Sequence, residues 1–121
     1  MLPGRRHPLV APLMEDPALD VLAPDLIFSE VANGFRKVSR ASILAHKNLL
    51  RAIDDLSNLD LVAVGVRPLL TLVGPLLLDL SAYDACYLAL ALSRRAALAT
   101  FDRRLASVAA SHGVALSLPT D

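Results

Sequence analysis

From Asp20 onward, short apolar runs closed by Pro, Asn or Gly alternate with longer segments whose apolar residues recur every three or four positions. Short Val- and Leu-rich runs of this kind are what strands buried on both faces look like, and the longer segments are amphipathic helices. The alternation predicts an α/β fold, a parallel sheet flanked by helices. Four strands are readable: Asp20 to Ala23, Leu59 to Val64, Ala97 to Thr100 and Val114 to Leu118. The helices between them are Asp25 to Arg40, Ala41 to Ser57, a buried and apolar Leu69 to Leu78 breaking at Pro75, Ala82 to Arg95, and Asp102 to His112 closed by Gly113. The whole chain, 1–121, reads as one domain.

Composition removes several classes of function. Twelve Lys and Arg balance twelve Asp and Glu, so no general cationic field attracts nucleic acid, and any such contact has to be local. No apolar run approaches the roughly 18 residues of a membrane span, and Leu9 to Met14, interrupted by Pro12, is too short for the core of a leader peptide. A single cysteine, Cys86, fits a cytoplasmic protein and reads as a small core residue. His7, His46 and His112 are too scattered for a metal site, and no Gly-rich phosphate loop is present. With 55% of its residues apolar, the chain is expected to hide surface against a partner, first of all a second copy of itself.

Open α/β sheets bind ligands beyond the carboxyl ends of their strands, so the acids that follow strands matter most. Glu30, one of only two glutamates, lies one turn into the helix that leaves the first readable strand, beside its apolar stripe. Pairing with Lys37 or an arginine is the plain explanation for it. Asp84 stands three residues after Ser81, the spacing of a capping box, and Asp102 is placed to cap the last long helix. Tyr83 and Tyr87, one helical turn apart, read as packing residues. If Glu30, Asp84 and Asp102 converge at the sheet edge, they make an all-oxygen site suited to Mg²⁺ or Mn²⁺ and poorly suited to Zn²⁺. Such ions polarise phosphates and activate water.

The segments PDLIFSEVANGFRK, LSAYDACYLALA and LATFDRRLASVA, in that order, resemble the three acidic motifs of PIN-domain ribonucleases, most closely the VapC-type toxins of toxin–antitoxin pairs. The resemblance runs from about Leu19 to the C-terminus. It implies a Mg²⁺-dependent endoribonuclease that hydrolyses RNA phosphodiester bonds with metal-activated water, in which Glu30, Asp84 and Asp102 are the catalytic and metal-binding acids and Thr100 is the supporting hydroxyl. Asn33 matches a frequent residue of the family without a catalytic role. An RNA substrate, a cognate antitoxin and a homodimer are the implied partners. Arg103 and Arg104, next to Asp102, are candidates for RNA phosphates.

One part of the family pattern is missing. The family has a fourth carboxylate, an Asp at the end of a first, central strand, whereas Met1 to Gly4 cannot form that strand and His7 to Glu15 reads as what remains of the first helix. A PIN-like sheet without its first strand, from an N-terminally truncated chain, is therefore expected. Asp20 to Ala23 and Ala97 to Thr100 would then face each other with unpaired edges. Asp25 is the least poor surrogate for the absent acid. The rival reading is a catalytically inactive PIN-like remnant that binds an antitoxin or itself. A phospho-acceptor receiver domain is disfavoured because it needs a Lys after its last strand, and Lys37 and Lys47 both fall in helices.

Overall fold

A computed structural model of the chain describes residues 8–11, 21–40 and 46–117. Five strands, β1 Leu9–Ala11, β2 Leu22–Pro24, β3 Val62–Val64, β4 Ala97–Ala99 and β5 Leu116–Ser117, form one sheet in the order β3-β2-β1-β4-β5. The β2–β3 and β4–β5 pairs are parallel, as the alternation requires. Around them lie α1 Leu26–Arg40, α2 His46–Ser57, α3 Leu70–Leu76, α4 Ala82–Arg94 and α5 Arg103–Ser111. The fold is α/β. The expected starts of the first strand, at Asp20, and of the second helix, at Ala41, lie outside the described residues, as does Leu118.

The middle of the sheet departs from the reading of the sequence. No parallel first strand occurs among the described residues, yet the slot between β2 and β4 is filled. It holds β1, which comes from the stretch expected to be helical and runs antiparallel to both neighbours, with Val10 opposite Leu22 on one side and Leu98 on the other. Over the described residues 8–11 the expected helix is thereby corrected to a strand, and so are the expected unpaired edges; the rest of His7 to Glu15 lies outside the described residues. Pro8 and Pro12 bracket the three residues, and a residue before proline is pushed towards extended backbone, which works against helix at Ala11. Pairing also satisfies backbone groups of β2 and β4, each of which would cost about 1–3 kcal/mol if buried alone. Val10 is wholly buried.

Helix α4 is the centre of the core. Its residues from Ala85 to Ala91 are all buried, among them Cys86, Tyr87, Leu88 and Leu90. Ile27, Val31 and Phe35 of α1, spaced by four, supply the apolar stripe read from the sequence. Leu98 of β4 and Leu105 and Ala109 of α5 join the same core. Helix α5 ends at His112, with Gly113 in the left-handed region at φ 77°. The segment expected to be a buried helix, Leu69 to Leu78, is a 3₁₀ turn over Arg67–Leu69 followed by α3, which runs one residue past Pro75. It is half in solvent: Leu69, Val73 and Leu76 are buried, while Leu70, Leu72, Leu77 and Leu78 are exposed. An apolar run without polar positions carries no sign of which face is covered, and here only one is. No helix among the described residues is long and apolar enough to cross a membrane.

Candidate active site

The carboxyl ends of β2 and β4 point to the same edge of the sheet. Asp25 follows β2, and its N–H donates to the Val64 carbonyl at 2.9 Å, carrying the β2–β3 ladder past Pro24, which has no N–H. Asp102 lies just beyond β4. Because β1 is reversed, its first residue, Leu9, pairs with Ala99 at that edge, and Ala11 pairs with Ala97 at the other. The residues of β1 therefore bring no carboxylate to the place where a parallel middle strand would end.

Glu30 stands on the second turn of α1, half-buried, and its Oε1 accepts a hydrogen bond of 2.9 Å from the Tyr87 hydroxyl. Tyr87 is 1% exposed. Its phenol needs a partner at that depth, and a carboxylate is a strong one. The sequence reading missed this role. The available signal was Tyr87's position three residues after Asp84, which puts both on one side of α4.

Asp84 lies in the first turn of α4, half-buried, and its N–H donates to Ser81 Oγ at 3.2 Å, the first half of the capping arrangement read from the sequence. Asp102 caps α5: its Oδ1 accepts from the N–H groups of Arg104 (2.9 Å) and Leu105 (3.1 Å). Its own N–H donates to Thr100 Oγ1 at 3.0 Å, so Thr100 supports the turn that carries the acid. Arg103 is exposed at the start of α5. Arg104 turns back across the molecule, donating through Nε to the Asp79 carbonyl at 3.0 Å. Asp84 and Arg104 share an open cleft of about 310 Å³ with Leu78 and Ser81, and neither Glu30 nor Asp102 lines it.

Cys86, 4% exposed on α4, has its thiol pKa raised, first by burial and then by the negative charges of Glu30 and Asp25. Both effects disfavour the thiolate, which is the reverse of what a cysteine nucleophile needs.

The donor chemistry at this edge suits a hard cation, since the acids offer only oxygen. Their grouping does not provide for one: among the described residues no three His, Cys, Asp or Glu side chains stand together in a way that could hold a metal ion. The structure joins Glu30 to Tyr87 and Asp84 to the Arg104 cleft, and leaves Asp102 at its cap.

The class of protein is shown by the sequence: the chain belongs to the PIN domain family, whose profile matches residues 4–111. Within the family it is similar to VapC ribonucleases. The VapC ribonuclease Mb0985 of Mycobacterium bovis and the ribonuclease VapC9 of Mycobacterium tuberculosis are each 35% identical to it over 82 residues, 68% of this chain. The match spans 65% of those relatives' own length, a little under two thirds.

Proposed function

We propose that this chain is a VapC-type endoribonuclease, the toxin of a toxin–antitoxin pair, which hydrolyses RNA phosphodiester bonds in the cytoplasm. The observation that carries this reading is the placement of Glu30 and Asp102 after β2 and β4 at one sheet edge, with Asp84 opening the helix between them. The similarity to VapC ribonucleases supports it. Glu30, Asp84 and Asp102 are the proposed catalytic acids, and Thr100 holds the loop before Asp102 through its hydrogen bond. The reading calls for Mg²⁺ or Mn²⁺, which these acids do not gather to hold as they stand, so no chemical step is assigned to the ion. RNA is the proposed substrate, with Arg103 and Arg104 toward its phosphates. An antitoxin and a second copy of the chain are the proposed partners.

A specific observation favours the second reading, a PIN module that binds an antitoxin or itself without cutting. The reversed β1 fills the middle of the sheet and brings no acid there. The exposed Leu50, Ile53, Leu70, Leu72 and Leu78 offer apolar surface for a partner.

A cleavage assay on labelled RNA with Mg²⁺ or Mn²⁺ titrated, wild type against Asp84→Asn, separates the two. Ion-dependent cleavage that falls about 100-fold or more in the variant supports the nuclease. Absence of cleavage by both proteins leaves the binding module.

A further inference from the structure

We propose that Tyr87 is a positioning residue, which fixes the orientation of the Glu30 carboxylate and so couples α1 to α4 in the nuclease site. The inference rests on the nuclease reading above and adds to it a role for a residue of the motif around Asp84 that the sequence reading assigned to packing alone. Tyr87 and Asp84 lie three positions apart on α4, while Glu30 comes from α1, 57 residues away from Tyr87 in the chain. A glutamate on a helix has three rotatable bonds, so its carboxylate needs a partner to fix one rotamer. The Tyr87 phenol is such a partner: it is 1% exposed, held in the core, and donates at 2.9 Å to Oε1. An O–H to carboxylate bond is charge-assisted, and in a water-poor surrounding it is stronger than its neutral counterpart.

The arrangement places the anchor in the most buried helix among the described residues and the acid on a partly covered one. The phenol therefore does what phenylalanine, of the same shape, cannot: it orients a group in the site, and the same bond satisfies its own buried hydroxyl.

Two measurements test the proposal. In the first, Tyr87→Phe, Glu30→Gln and the double variant are compared with wild type in RNA cleavage with Mn²⁺. Circular dichroism confirms that each is folded. Tyr87→Phe should lower kcat about 10-fold while leaving KM for RNA within about two-fold, and it should add nothing further in the Glu30→Gln background. An unchanged kcat, or the same loss in both backgrounds, overturns the proposal. Wild type that does not cleave removes the nuclease reading itself and this role with it, an outcome distinct from wild type and Tyr87→Phe cleaving alike.

The second measurement does not depend on activity. The chain has two tyrosines, and Tyr83 is 61% exposed, so 3-fluorotyrosine in a Tyr83→Phe chain reports on Tyr87 alone. Its ¹⁹F resonance should move on Glu30→Gln and stay in place on Asp102→Asn. A resonance indifferent to Glu30→Gln overturns the proposal even if Tyr87→Phe fails to fold.

Discussion

Two of the acids meet the protein in opposite ways. Asp102 sits in solvent at the start of α5, and its hydrogen bonds, from Arg104, Leu105 and Ala106 and to Thr100, are made within four residues of the chain. Glu30 is half-buried on α1, and its partner, Tyr87, comes from a helix far along the sequence. One acid is held by its own turn, the other by tertiary packing. Local capping stabilises a helix whether or not a site exists nearby, whereas a buried phenol aimed at a carboxylate ties the acid's position to the integrity of the core. The contrast predicts that damage to α4 displaces Glu30 and leaves Asp102 in place.

The largest effect should come from the buried side of that comparison. Tyr87→Ala removes one of the largest fully buried side chains and the donor to Glu30, and should destabilise by about 3–5 kcal/mol in urea unfolding. A loss below about 1 kcal/mol would mean that α4 does not anchor the site. Next is the strand that links the two halves of the sheet: Val10→Ala should cost about 2 kcal/mol, because a wholly buried side chain loses two methyl groups between β2 and β4. A neutral Val10→Ala would deny β1 its place in the core.

Smaller again is the exposed side. Asp102→Ala should destabilise by about 1 kcal/mol through loss of the α5 cap, and Asp102→Asn, which keeps an accepting oxygen, by much less. Equal losses for the two variants would show that charge, and not capping, matters there.

The smallest effect concerns pH. Since the Cys86 thiol is raised in the folded protein, the native state keeps its proton where the unfolded chain has lost it. The stability so contributed is complete below the ordinary thiol range and declines as pH rises through it towards the folded value. Stability measured from pH 7 to 10 should fall less steeply in Cys86→Ala than in wild type, and parallel curves would remove the thiol from the account.

Much of this was legible in the residues. Ser81, Asp102 and Gly113 mark helix ends at which the structure indeed turns, and the stripe Ile27, Val31, Phe35 is buried as its spacing implies. The three acidic motifs pointed to the PIN family before any contact was known. The exposure of Leu70, Leu72, Leu77 and Leu78 was not legible, because an unbroken apolar run looks the same whichever face is covered. Nor was the bond from Tyr87, for a tyrosine at helical spacing is read as packing until its hydroxyl is seen to meet an acid.

The chain's own order of residues determines its helices, their caps and the family to which it belongs, since these signals act over a few positions and need no knowledge of what lies across the core. Tertiary structure alone decided that Leu9–Ala11 enters the middle of the sheet backwards, and that Glu30 is held by Tyr87 and does not gather with Asp84 and Asp102 into a metal-binding group. The reason is physical: strand direction and the partner of a buried polar group are settled by long-range backbone pairing and by the cost of leaving such groups unsatisfied in the core.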